Sequence, residues 1–272
     1  KDLIDGKRYG YHDKKDLEIN FNPDENNKFV FIRGNYSDFS RMISNVINNA
    51  VESREEEVKV EVSYGVKGEE VEVKVKDNGS GMPQEMIEKL NRGEAVGTTK
   101  EYGHGIGMEQ ILKTIKDMKG KMEVKSVEGE GTEFVMRFKK VEAPKWFARK
   151  IEIKKGDIVV ILDDEILMYE IWRKRLKGYE KDLTIKYFKE GVEALNYLKT
   201  IEDKSKVFLI VDYELKKQEI NGIEVIEKSG MKERHILMTN KYLRDIKEFK
   251  GKSNFLKLFH KMYLNDIDIV VS

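Results

Sequence analysis

From Tyr36 to Arg54 apolar residues recur as Phe39, Met42, Ile43, Val46, Ile47, Ala50 and Val51, the spacing of one buried helical stripe. Ser37 is placed to cap its first turn. Two alternating runs follow, Val58-Val60-Val62 and Val71-Val73-Val75, and the charges between the valines predict half-buried strands. Pro83 opens a short helix that Gly93 ends, and a second helix carries Met108, Ile111, Leu112 and Ile115. Strands at 122–127 and 132–138 around EGEG read as a hairpin. Strands mixed with helices that each have one apolar face predict a sheet covered by helices on one side.

Near Val141 the pattern stops. The stretch VEAPKWFARKIEIKKGD reads as a connector, giving a first domain at 1–142, a linker at 143–155 and a second domain at 156–272. Beyond it, apolar runs (IVVILDD, LTIKYF, VFLIVD, HILMT, FLKLF) alternate with helical segments. Short continuous apolar strands separated by helices predict a doubly wound parallel sheet.

At 272 residues two ordinary domains are expected, each able to bury a core. Lys and Arg (51) nearly cancel Asp and Glu (50), so nothing in the bulk charge points to nucleic acid or an anionic membrane. The 37% charged fraction fits a heat-adapted source or a Lys-biased genome equally. Without cysteine there is no disulfide framework, thiolate metal site or cysteine nucleophile, and a cytoplasmic setting is expected. No run approaches the roughly twenty apolar residues that cross a bilayer. A start at Lys1 suggests a fragment of a longer polypeptide.

Three features of the first half suggest chemistry. Asn45 and Asn49 stand one helical turn apart and point the same way, either as a solvated helix edge or as amide oxygens for a metal ion or phosphate-bound water. The strand 71–76 runs into Asp77-Asn78-Gly79-Ser80-Gly81-Met82. A glycine cluster, VGTTKEYGHGIGM, then enters a helix at Gly107, where free N–H groups and the helix dipole suit an anion.

Together these residues resemble the ATP-binding fold shared by sensor histidine kinases, type II topoisomerases, Hsp90-like chaperones and mismatch-repair ATPases, over roughly 15–140. NVINNAVES (45–53) is similar to the asparagine box, and DNGSGM (77–82) and GHGIGM (103–108) to the two glycine boxes. GEGTEF (129–134) is similar to the last box. The resemblance implies a two-layer α/β sandwich with a mixed sheet, Asp77 accepting the adenine amino group, and Asn49 coordinating magnesium on the phosphates. It implies that Gly79 and Gly81 admit the nucleotide and that Thr132 supports the adenine water network. The lid would comprise Thr98, Thr99, Lys100, Gly103, His104, Gly105, Ile106, Gly107 and Met108, with Lys100 and His104 bearing its charge.

Hydrolases of this family typically carry a glutamate one turn before the magnesium asparagine. Here Asn45 stands there and cannot take a proton, so the sequence leans to a kinase, with Asn45, Asn49, Lys100 and His104 as its catalytic set. Two departures stand out: Glu52-Ser53-Arg54 replaces a common lysine, and Ala95-Val96 precedes Gly97 where a phenylalanine is usual. His12 in YHDKKDL lacks the context of a phosphoacceptor and reads as a surface loop, so the acceptor histidine is expected upstream.

In the second half, predicted strands end in Asp163-Asp164, Asp212 and Thr239. The carboxyl ends of an open parallel sheet form its site, so these residues converge, and gathered carboxylates repel unless a hard cation holds them. The region resembles a response-regulator receiver of flavodoxin-like fold, over roughly 156–265. That implies Asp212 as phosphoacceptor, Asp163 and Asp164 with Asp212 as magnesium ligands, Thr239 as the phosphoryl-contacting hydroxyl, and Lys261 or Lys257 as counter-charge. MYLNDIDIVVS is too short for the usual final amphipathic helix.

The resemblances together imply the C-terminal part of a hybrid histidine kinase using ATP and magnesium. Its partners would be an upstream dimerising helical domain with the acceptor histidine, in a homodimer, and a histidine phosphotransfer protein or response regulator. No nucleic-acid or membrane contact is expected. The alternatives are a non-enzymatic nucleotide-gated switch with a degenerate receiver, and an ATP hydrolase of the same fold.

Overall fold

The computed structural model describes residues 2–14, 16–54, 57–94, 106–231, 233–241 and 257–272, and the chain divides into two compact units, Lys1–Glu142 and Ala143–Ser272.

The first unit runs α1 (Asp2–Gly10), β1 (Glu18–Asn22), β2 (Phe31–Ile32), α2 (Tyr36–Glu52), β3 (Lys59–Lys67), β4 (Glu70–Asp77), α3 (Gln84–Asn91), α4 (Ile106–Asp117), β5 (Lys121–Val127) and β6 (Gly131–Val141). The sheet has the order β1-β3-β4-β6-β2, with β5 also paired to β6. It is mixed: β1 lies parallel to β3 and every other pairing is antiparallel. The stripe of α2 buries Met42, Ile43, Val46, Ile47, Ala50 and Val51 in one core with Val60, Val62, Val71, Val73 and Val75 of β3 and β4. The cap of α2 is Asn35, not Ser37. Its side-chain oxygen accepts from Ser37 N at 2.8 Å and Asp38 N at 3.3 Å, because the helix starts at Tyr36 and Ser37 already lies inside the first turn. At the other end Lys14 donates to the carbonyls of Val51 and Arg54.

On the charged face of β4, Glu72 is only 3% exposed. Burial pushes its carboxyl up, but Lys67, Arg137 and Lys74 outweigh it and bring it down to about 2.

The second unit runs β7 (Lys150–Ile153), β8 (Ile158–Leu162), α5 (Ile166–Leu176), β9 (Thr184–Phe188), α6 (Gly191–Lys199), β10 (Val207–Asp212), α7 (Gly222–Ser229), β11 (His235–Thr239), β12 (Leu258–His260) and β13 (Asp268–Val271). Five parallel strands lie in the order β12-β11-β10-β8-β9. Val160, Leu162, Leu209 and Val211 join a core with Ala194 and Leu198 of α6 and Ile223, Val225 and Ile226 of α7. The alternate residues Val159, Ile161, Phe208 and Ile210 are buried too, so both faces of the sheet are covered.

The segment 143–155 is not a bare connector. Ile151 and Ile153 are buried between exposed Lys150 and Glu152, a strand-like alternation that the flanking charges hide, and β7 pairs in parallel with the C-terminal β13. After Lys261 the described chain makes a single 3-10 turn, Lys261–Tyr263, and then β13 rather than a helix. Arg175 of α5 ties this tail down by donating to the carbonyls of Leu264 and Ile267.

Helix α7 begins with a reciprocal cap: Asn221 Oδ1 accepts from Glu224 N at 3.1 Å and Glu224 Oε2 accepts from Asn221 N at 2.9 Å. Asn221→Ala is expected to lower the unfolding free energy of this unit by about 1 kcal/mol. Both tryptophans, Trp146 and Trp172, lie in this unit, so tryptophan fluorescence during denaturant unfolding reads the change.

Candidate functional sites

In the first unit the site grows from the end of β4. Asp77 is 7% exposed, and its Oδ1 accepts from Gly79 N at 2.8 Å and Thr132 N at 3.2 Å, joining the glycine turn to the start of β6. Among the described residues its Oδ2 accepts nothing. Burial pushes the Asp77 carboxyl up, against the pull of these two N–H groups.

The neighbouring turns need bare backbone. Gly81 has φ +72, and a Cβ there would stand 2.1 Å from Val127 O. Gly131 has φ +122, and its Cβ would stand 2.1 Å from Asp77 O. A Cβ on Gly79 would run into Ser53 Oγ at 1.8 Å. Asn78 is held from both ends of its amide, accepting from Lys59 N at 2.8 Å and donating to Glu57 O at 2.8 Å. Arg54 Nη1 donates to Asn78 O at 3.1 Å, so it braces this turn.

Asn45 and Asn49 are half-buried on α2, and among the described residues neither carboxamide is hydrogen-bonded. A Cβ on Gly107, in the first turn of α4, would lie 4.0 Å from Asn45 Cγ, so that turn sits beside the asparagine face. Asn48 is different: its Oδ1 accepts from Lys7 Nζ at 2.5 Å and Tyr11 Oη at 3.0 Å, tying α2 to the N-terminal segment. Ile106 opens α4 and Met108 packs into the core. Thr98, Thr99, Lys100, Gly103, His104 and Gly105 lie outside the described residues. His12 is in an exposed turn.

In the second unit the strand ends bring Asp163, Asp164 and Asp212 together, with one carboxylate oxygen of each within 4.8 Å of the others. Lys261, 7% exposed, stands immediately after β12, with Nζ 2.8 Å from Asp212 Oδ2 and 2.9 Å from Asp163 Oδ2. Lys257 is elsewhere: it is exposed and donates to Lys145 O. Thr239 is fully buried, and its Oγ1 accepts from Lys241 N at 2.8 Å.

Asp164 Oδ1 is buried without a hydrogen-bond partner among the described residues. Three clustered carboxylates, one of which keeps a buried oxygen unsatisfied among the described residues, fit a hard divalent cation such as magnesium. Burial and then the Asp163 charge push the Asp212 carboxyl up to about 7, with Lys261 pulling the other way. Burial works against a charged Lys261, but Asp212 and Asp163 hold its pKa above the ordinary value.

Three contributors carry no motif. Lys216 donates its backbone N–H to Asp164 Oδ2 at 3.0 Å and pairs its ammonium with Glu165 at 2.6 Å. Glu165 N donates to Asp163 Oδ1 at 3.0 Å. Ser126 of β5 accepts from Met82 N at 2.9 Å and donates to Gly131 O at 2.8 Å, linking the first and last glycine boxes. Its position inside an alternating strand gives it no sequence signal.

Residues 34–142 match the family model for the histidine kinase-, DNA gyrase B-, and HSP90-like ATPase. The first unit therefore carries a domain of that class, on the α/β fold described above. Sporulation kinase A of Bacillus subtilis is 32% identical over 111 residues, 41% of this chain and 18% of that protein. The autoinducer 2 sensor kinase/phosphatase LuxQ of Vibrio parahaemolyticus is 25% identical over 204 residues, 68% of this chain and 23% of that protein. The mycobacterial sensor histidine kinase MprB is a solved structure 18% identical to this chain, covering 52% of it and 95% of that chain, with a TM-score of 0.44. The chain thus spans less than a quarter of the length of either curated relative. Among the described residues no helix is long and apolar enough to cross a membrane.

The raised Asp212 carboxyl has a pH consequence. Its folded pKa lies above the unfolded value, so the folded state holds this proton more tightly from about pH 4 to 7, and its share of stability is lost as pH rises through that window. In chelator, Asp212→Asn is expected to be more stable than the parent at pH 8, with the gap closing towards pH 4. Thermal unfolding followed by tryptophan fluorescence reads this; a variant less stable than the parent at pH 8 would contradict it.

Proposed function

We propose that the chain is the ATP-binding and receiver portion of a hybrid histidine kinase, working in a two-component phosphorelay. The observation that carries this reading is the Asp77 carboxylate, held through Oδ1 by two backbone loops with Oδ2 left to accept from a ligand amino group. On this reading that group is the adenine 6-amino group, and the bare backbone at Gly79 and Gly81 lets the base approach. Asn49 offers a neutral oxygen towards a magnesium ion on the phosphates, and Asn45, unable to take a proton, disfavours activation of water. Lys100, His104, Thr98 and Thr99, outside the described residues, are proposed to contact the triphosphate. Phosphoryl transfer needs mainly positioning and charge neutralisation, which such a set supplies.

The γ-phosphoryl group would pass to a histidine of an upstream helical domain. In the second step the bond from phosphorus to that histidine nitrogen breaks as an oxygen of the ionised Asp212 carboxylate forms its own. Asp163, Asp164 and Asp212 would hold magnesium, which neutralises charge on the transferring group. Lys261 balances the carboxylates before transfer and the acyl phosphate after it, and the Thr239 hydroxyl is available to contact a phosphoryl oxygen. The relatives named as sensor and sporulation kinases support the kinase assignment over hydrolysis.

Asp77→Asn puts an amide donor beside the adenine amino group. It is expected to weaken ATP binding by roughly 10- to 100-fold, the size of one hydrogen bond to a charged group. Isothermal titration of the full chain measures this, and unchanged ATP affinity would contradict the site.

A further inference from the structure

Among the described residues the Ser126 hydroxyl on β5 has three polar neighbours. It donates to Gly131 O at 2.8 Å, accepts from Met82 N at 2.9 Å and stands 3.0 Å from Thr132 Oγ1. A serine hydroxyl has one proton and two lone pairs. The Gly131 carbonyl can only accept, so it takes the proton; Met82 N–H can only donate, so it fills one lone pair. The contact with Thr132 must then run from the Thr132 O–H to the remaining lone pair of Ser126. The Thr132 proton is therefore turned to Ser126, and its oxygen has only lone pairs left to offer.

The same count applies beside it. Thr132 N donates to Asp77 Oδ1, which also takes the Gly79 N–H, and among the described residues Oδ2 remains an open acceptor. Among the described residues Asp77 and Thr132 thus offer acceptors and no side-chain donor. Resting on the reading of this site as a nucleotide site, we propose that Ser126 is a positioning residue for base recognition. By fixing the Thr132 proton it leaves only acceptors beside the purine 6-position, which favours a 6-amino group, a donor, over a 6-oxo group, an acceptor, at that position. A free Thr132 rotor would serve a carbonyl oxygen as readily as an amino group, and the Ser126 contact removes that tolerance.

The test compares ATP with inosine triphosphate, which carries a 6-oxo group and an N1–H where ATP carries a 6-amino group and an unprotonated N1, by calorimetric titration of the full chain and of Ser126→Ala and Ser126→Thr. The parent is expected to prefer ATP. Ser126→Ala narrows the preference by about fivefold, the size of one neutral hydrogen bond, and Ser126→Thr restores it. Equal weakening of both nucleotides in Ser126→Ala, with the ratio unchanged, would make Ser126 a structural strut and overturn the proposal. Should Ser126→Ala fail to fold, Thr132→Val decides: loss of ATP affinity with inosine triphosphate binding unchanged supports an acceptor-only hydroxyl, and equal losses overturn it. Binding of neither nucleotide by the parent would instead remove the nucleotide site itself.

Discussion

The Asp77 carboxylate sits where the end of β4, the glycine turn after it and the first residues of β6 meet, and a single oxygen receives the N–H groups of Gly79 and Thr132. A buried carboxylate is tolerated only where such donors replace its lost water. The Gly79 donor comes from the turn itself, and the Thr132 donor comes within reach because Gly131 lets its backbone pass the Asp77 carbonyl at a distance that a Cβ would forbid. The core beneath fixes the geometry, since α2 packs its stripe on β3 and β4 and delivers the strand end to the turn. The position of the other oxygen of Asp77, and with it the shape of any base-binding surface, follows from that clasp.

The second unit solves the reverse problem. Parallel strands bring three carboxylates to one end of the sheet, where their mutual repulsion has to be offset, and the Lys261 ammonium contacts two of them from the turn that follows β12. The third, Asp164, keeps one buried oxygen unsatisfied among the described residues. A site with one lysine for three acids stays electrostatically incomplete, which is the state expected of a group that takes up a cation.

Much of this was legible in the sequence where one periodicity ruled. The stripe of α2, the valine alternations of β3 and β4 and the apolar runs of β8, β10 and β11 announce themselves because burial alone decides those positions. Elements fixed by pairing rather than pattern were not. The two residues of β2 are too few for any period, and β7 hides two buried isoleucines among lysines until β13, over a hundred residues later, pairs with it. The cap of α2 differed by two residues because Ser37 and Asn35 are both good caps and only the helix start chooses between them. The gap after Thr239 already favoured Lys261 over Lys257, and the turn after β12 gives it its contacts, whereas Ser126 required three-dimensional hydrogen-bond partners that no spacing encodes.

The central claim is that phosphoryl drawn from nucleotide at the first unit ends on Asp212 of the second. Its most direct test is an intact-mass time course with ATP and magnesium, in the presence of the upstream histidine-bearing helical segment, comparing the parent with Asp212→Ala. The account predicts an acid-labile adduct that accumulates on the histidine in Asp212→Ala and passes on to Asp212 in the parent. Bound nucleotide with no adduct in either protein would contradict it.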